Sequence, residues 1–374
     1  MFELAQIALI GAGIAIPAGA IGYYLKKTVF PITPFLYANA VVQARSNYLL
    51  QGNTLKSLAE SRSLKDFCSA LQTTKYSNVT SSSTLLELHA SMERCFVESV
   101  IELKSLSPKS MHPIFDSYLL LWEAKVLKTF YRSRFYSEIH GTEKINENLF
   151  FEIGILDSVK LNRLGETKTV ADIATVVSDT PYADVFSKNY SSLQEFEIAL
   201  DNHVMQRMVD SVNNSKIYDK KFVLSILNMR FDIYNILVLL KARTRGIEPN
   251  EIQNLLIKNN TRIFRQLPKM AEAENLDSFV SAAASAAGKN IIFFDALASA
   301  LEAYKKDSSL SHFERKLKAS YLEFVSGNDL KHIQGPYPLL SYLTKLEFED
   351  CNLRIISKGI DAGLSPAEIK EMVF

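Results

Sequence analysis

Three carboxylates stand where an apolar side chain is expected. In the stretch 336–369, Leu339, Leu343, Leu346, Glu349, Leu353, Ile356 and Ile360 recur at spacings of three and four, which is one face of a helix, and Glu349 lies on it. Asp232 sits in the same way between Met229 and Ile236, and Glu123 between Leu120 and Leu127. An acid on an apolar stripe is costly unless it is hydrogen-bonded. Two chemistries fit: a carboxyl that handles protons, or an acid that ties its helix to a neighbouring helix end or an arginine. Recurrence of the pattern along the chain favours the tie, since structural ion pairs occupy such places as well.

The recurrence extends beyond these acids. Laying 336–369 over 220–252 brings Asp232 onto Glu349, Asn235 onto Asn352 and Gly246 onto Gly363 without a gap. A fainter copy over 112–135 places Glu123 in the acidic position. Upstream, "LELHA", "FEIAL" and "FERKL" put Glu87, Glu197 and Glu314 in register, 36, 35 and 35 residues before the three stripe acids. Those acids also read as structural ties. Further upstream, Tyr76 in "TTKY" echoes Tyr182 in "DTPY". The period is about 110 residues, well beyond the 20–50 of stacked solenoids. It predicts three domain-sized helical copies: residues 29–145, 146–257 and 258–374, after a hydrophobic segment at 1–28.

Other chemistry finds little support. The histidines (His89, His112, His140, His203, His312 and His332) include no HxxxH or HExxH spacing, so no metal site is expected. There is no GxSxG elbow and no phosphate-binding P-loop. Trp122 and the many Phe and Tyr fall mostly at helical spacing and read as core. No catalytic, cofactor-binding or metal-binding residue is assigned, and neither a cofactor nor a small-molecule substrate is expected.

The elements that carry these residues follow from composition. In 374 residues there are only 14 Gly and 11 Pro, which favours long helices over a turn-rich sandwich or barrel. The length suits two or three domains. A formal net charge of +1 offers no basic stripe for nucleic acid. Cys68, Cys95 and Cys351 lie far apart, as reduced thiols in a cytoplasmic body do. "GLSPAEI" (363–369) and its near-copy "GIEPNEI" (246–252) spell helix-to-helix corners: Gly363 at the left-handed end of one helix, then Ser365, Pro366 and Glu368 as N-cap, first position and capping-box partner of the next. Leu364 and Ile369 complete a hydrophobic staple.

Leu4 to Leu25 carries no charge. As a helix it would span roughly 30 Å, about one hydrocarbon core. Tyr23 and Tyr24 and then Lys26 and Lys27 close it, which puts the body on the cytoplasmic side of a membrane. A secretory signal lacks its basic start, and Gly11 and Gly13 lack the third glycine of a nucleotide loop. A buried soluble helix stays open as an alternative, because Pro17 and four glycines make a poor span.

Together these residues resemble a known family. "YANAVVQARSNYLL" (37–50), "LLWEAKVLKTF" (120–130), "FEIALD" (196–201) and "EFEDCNLRIISKGIDAGLSPAEI" (347–369) look like the C subunits of the archaeal and bacterial A-type (V-type) ATP synthases, related to the d subunits of eukaryotic V-ATPases. With the triplication, the resemblance covers nearly all of 35–374. It implies an all-α, non-catalytic rotor part. Three similar helical domains would form a pseudo-threefold funnel on the proteolipid ring of the membrane sector and receive the central-stalk subunits. Torque would pass through it between proton or sodium transport and ATP synthesis or hydrolysis. A membrane-anchored helical scaffold with an unrelated partner is the alternative.

Overall fold

The computed structural model describes Tyr23 and residues 25–79, 84–140, 150–259, 261–287, 291–307, 309–327 and 334–374. Nearly all of the hydrophobic stretch 4–25 lies outside these residues. The described chain is all-α. Its only extended pairing is an isolated bridge between Ile153 and Leu156, and the rest is helices and turns.

Residues 29–145 contain α1 (Leu36–Ser46), α2 (Asn53–Leu58), α3 (Leu64–Leu71), α4 (Leu85–Leu106) and α5 (His112–His140). Residues 146–257 contain α6 (Ser158–Glu166), α7 (Val170–Val176), α8 (Ala183–Phe186), α9 (Leu193–Asn214), α10 (Lys220–Thr244) and α11 (Pro249–Ile252). Residues 258–374 contain α12 (Leu267–Ala271), α13 (Leu276–Ala287), α14 (Ile291–Asp307), α15 (Leu310–Ser326), α16 (Tyr337–Asp361) and α17 (Pro366–Met372). The long helices α5, α10 and α16, of 29, 25 and 25 residues, carry the stripe acids. Helices α4, α9 and α15 carry Glu87, Glu197 and Glu314. Each starts behind a hydroxyl cap, Thr84, Ser192 or Ser309, whose side chain accepts a backbone N–H of the first turn.

One pairing recurs. Helix α9 packs along α5 and α15 along α10, so each copy leans on the acid helix of the copy before it. Helix α4 packs in the same way on α16, the acid helix farthest along the sequence. Residues 50–92 and 353–369 therefore share a core. Leu50, Leu55, Phe67, Leu71, Tyr76, Leu88 and Met92 bury against Leu353, Ile356 and Ile369. Most of the remaining buried apolar side chains form one larger cluster.

Both predicted corners are present. Gly246 and Gly363 each adopt φ +70°, and the N–H groups of Ile247 and Leu364 reach back to the carbonyls of Ala242 and Gly359. Ser365 and Glu368 form the full capping box, and Pro366 takes the first position. Glu248 at the equivalent cap makes no side-chain bond.

Helix α10 is long and apolar enough to cross a membrane, but 67% of its most apolar window is buried in the protein. It is a core helix.

Candidate functional site

Each stripe acid is buried at a joint between copies, and each is met by a different set of donors. Glu123, on α5, accepts the Ile155 N–H on Oε1 at 3.0 Å and the Tyr182 hydroxyl on Oε2 at 2.8 Å. Tyr182 is also 3.2 Å from the carbonyl of Leu120, one turn back on α5. Asp232, on α10, accepts Thr261 Oγ1 at 2.6 Å and Asn259 Nδ2 at 3.1 Å, both on Oδ1. Glu349, on α16, accepts the Leu50 N–H on Oε1 at 2.9 Å and the Lys75 ammonium on Oε2. In all three the helix of one copy holds the loops that open another, and at Glu349 those loops come from the far end of the chain.

The local frames of two joints match closely. Thr74 and Thr180 each donate to a carbonyl three residues back, at 2.6 Å, and each accepts the N–H of the tyrosine two residues on. Tyr76 and Tyr182 are thereby fixed, both fully buried. The donors Leu50 and Ile155 precede them by 26 and 27 residues, so they are the same position in two copies.

Electrostatics separate the joints. Burial pushes the Glu123 carboxyl up to about 7, with the Ile155 and Tyr182 bonds pulling the other way. Burial raises Asp232 to about 6, against the Thr261 and Asn259 bonds. At Glu349 burial raises the carboxyl and also lowers the Lys75 amine, while their contact and the Leu50 N–H favour the charged pair.

A second set of ties runs between the same helices. Glu197 on α9 meets Arg132 of α5 at 2.5 Å, and Glu314 on α15 meets Lys241 of α10 at 2.6 Å. Arg132 and Lys241 both stand nine residues past the stripe acid of their helix. Asn235 exchanges two bonds of 2.8 Å with the Ile257 backbone, and Asn352 binds the Phe374 backbone with bonds of 2.9 and 3.5 Å. Both spans are 22 residues, so the recurrent asparagines clamp the chain after each corner.

Where α5, α10 and α16 approach one another, Arg230 forks onto Glu347 with bonds of 2.7 and 2.8 Å and donates to the Tyr118 hydroxyl at 2.8 Å. Arg230 and Glu347 each lie two residues before a stripe acid. Equivalent positions of two copies thus touch directly. This cluster faces a cavity of about 410 Å³, also lined by Tyr234, Lys241, Glu314, Tyr321 and Cys351. The sequence reading missed it; two unlike charges at one repeat offset were the available sign. It also missed Lys75 and Gly154 as parts of the joints.

Among the described residues no group of three or more His, Cys, Asp or Glu could hold a metal ion. His89 contacts Ser357, His112 the Ser107 carbonyl, and His203 lies against the Tyr182 ring. The cysteines Cys68, Cys95 and Cys351 are all free thiols.

A profile of the ATP synthase (C/AC39) subunit family matches residues 38–372, spanning all three joints. The chain belongs to that family. Relatives named as C subunits of A-type ATP synthases include one from Thermococcus onnurineus (strain NA1), 27% identical over 94% of this chain and 93% of its own. One from Desulfurococcus sp. (strain SY) is 25% identical over 97% of each chain, and one from Methanocaldococcus jannaschii is 24% identical over 94% and 88%. The C/AC39 match runs from α1 to α17 and so covers the residues of all three joints.

Proposed function

We propose that this chain is the non-catalytic central-stalk subunit of an A-type (V-type) ATP synthase. It would couple the rotary stalk to the proteolipid ring of the membrane sector, in ATP synthesis or hydrolysis linked to proton or sodium transport. The match of the family along residues 38–372 is the observation that carries this reading. Three similar helical domains, corresponding to 29–145, 146–257 and 258–374, would form a pseudo-threefold funnel at the cytoplasmic side of the cell membrane. The hydrophobic segment within 1–28 would anchor it there.

The physics of the fold suits the role. A part that transmits torque must not shear between its pieces, and close-packed helices pass strain on with little give. The cyclic pairing supports this: α9 on α5, α15 on α10 and α4 on α16 leave no copy attached on one side alone. Each stripe acid has a partner across a joint, as a tie between packed helices requires.

The test is purification of a tagged chain from native membranes in mild detergent. Proteolipid ring and stalk subunits should co-purify in fixed proportion. Membranes lacking the chain should lose coupled ATP synthesis while the detached head still hydrolyses ATP. Recovery with an unrelated partner set, and intact coupling in its absence, would favour the scaffold alternative.

A further inference from the structure

The joint at Glu123 differs from its counterparts in one respect of hydrogen-bond arithmetic. The carboxyl is 1% exposed, and among the described residues its partners are two neutral donors, the Ile155 amide and the Tyr182 hydroxyl. The hydroxyl carries one hydrogen, yet two acceptors lie within its reach: Glu123 Oε2 at 2.8 Å and the Leu120 carbonyl at 3.2 Å. An acid proton on Oε2 gives each of the two contacts a hydrogen of its own. It is donated to Tyr182 Oη, the tyrosine hydrogen goes to Leu120, and Oε1 still accepts Ile155.

Among the described residues no cation touches this carboxyl. Of the charged groups facing it, Asp116 on its own helix opposes ionisation and Arg207 on α9 favours it, both as weaker influences than burial. His203, on α9 against the Tyr182 ring, is held toward its neutral form by burial. Glu349, at the equivalent position, has the Lys75 ammonium in contact. Gly154 presses the first carboxyl closely, since a Cβ there would lie 1.8 Å from Glu123 Oε1. The Gly154 backbone therefore covers the Oε1 side of the carboxyl directly.

We propose that Glu123 is carried as the protonated acid, and that releasing this proton loosens the Ile155 and Tyr182 loops from α5, making the joint between the first and second copies a pH-sensitive clasp. The joint at Glu349 is held by an ion pair and stays closed over the same range. The sign follows from burial: the folded carboxyl titrates near 7, above its ordinary value of 4.5. Stability from this group is complete below the ordinary value and is lost as pH rises through 7.

The experiment uses the full-length protein in detergent. Infrared spectra taken from about pH 5.5 to 8.5 should contain a protonated-carboxyl C=O band that titrates near neutrality and is absent from Glu123→Gln. Hydrogen exchange of peptides covering 150–157 and 178–186, corrected for intrinsic base catalysis, should accelerate at least about tenfold over that range. The peptide covering 48–52, at the Glu349 joint, should not. Glu123→Gln should flatten the profile. Tyr182→Phe, which keeps the ring but removes both the acceptor of the acid proton and a donor to the ionised form, should displace the transition along the pH axis; a purely structural tyrosine would weaken the joint equally at every pH. An unchanged pH profile in Glu123→Gln, parallel acceleration at both joints, or no titrating band would overturn the proposal. Were Glu123→Gln not to fold, the displacement of the wild-type band in Tyr182→Phe would still decide it.

Discussion

At the joint around Glu349 a buried carboxylate meets the Lys75 ammonium and the Leu50 amide; around Glu123 the same position of the repeat receives the Tyr182 hydroxyl and the Ile155 amide. The backbone donors are equivalent, and both frames end in a threonine-braced, fully buried tyrosine. What differs is the residue that reaches the second carboxylate oxygen. At one joint the tyrosine itself does so; at the other, the lysine just before it does. A single recurrent geometry therefore accommodates either a charge pair or a shared proton. The Asp232 joint, with Thr261 and Asn259, is an intermediate case of neutral donors on one oxygen.

The largest break in this comparison is expected from glycine. Gly154 has φ +55° and the Glu123 carboxyl against it, whereas a Cβ added at Gly52, at φ +53° near the other joint, would meet nothing within 4 Å. Gly154→Ala should cost roughly 3 kcal/mol or more through overpacking and strain. Gly52→Ala meets no neighbour, but at φ +53° and ψ −115° the backbone is one that side-chain-bearing residues rarely adopt, at a cost of about 1–3 kcal/mol. Chemical denaturation of the two variants checks this; equal losses would show that Gly154 is not a packing constraint.

Removing the cation should come next. Lys75→Met leaves Glu349 buried without a counter-charge, at a cost of about 2–3 kcal/mol at neutral pH, since Lys75 is partly exposed. Without the ammonium the folded Glu349 carboxyl rises further above its unfolded value. The deficit should therefore shrink as pH falls and the acid is protonated in both states. A melting-temperature difference that ignores pH would sink the ion-pair reading. At the other joint, Tyr182→Phe should cost about 1–2 kcal/mol, one buried hydrogen bond with a partner left short.

A finer contrast concerns the asparagine clamps. Asn235 is fully buried with two bonds of 2.8 Å, while the second bond of Asn352 is 3.5 Å and the clamped residue is the C-terminal Phe374. Asn235→Ala should cost about 2 kcal/mol and Asn352→Ala about 1. The smallest effect is electrostatic. Glu314, held below its ordinary range by Lys241 and Lys318 despite burial, should add modest stability at neutral pH that is lost on acidification, opposite in sign to Glu123. Comparing the pH profiles of Glu314→Gln and Glu123→Gln tests both signs.

Much of this was legible in the sequence because it rests on local rules. The corner at 363–369 needs only capping chemistry and a left-handed glycine, and those residues specify it wherever they occur. The all-α class and the placement of Glu123, Asp232 and Glu349 on apolar stripes follow from the 3.6-residue period. The register of copies, with Asn235 on Asn352, came from identity at fixed spacing. Equivalence between positions also anticipated that these acids have structural partners. It did not say which.

The partners were decided in three dimensions. Lys75 reaches Glu349 across 274 residues, and the Leu50 N–H across 299. Nothing local to Glu349 distinguishes an ammonium from the hydroxyl that Glu123 receives. That choice depends on how the first copy's loops seat on the last copy's helix. The same holds for Arg230, Glu347 and Tyr118, whose meeting requires three separate helices to converge. Periodicity and capping act over one or two turns and are written in the sequence. Burial, counter-charge and proton sharing depend on contacts closed over the whole chain, and only the packed fold sets them.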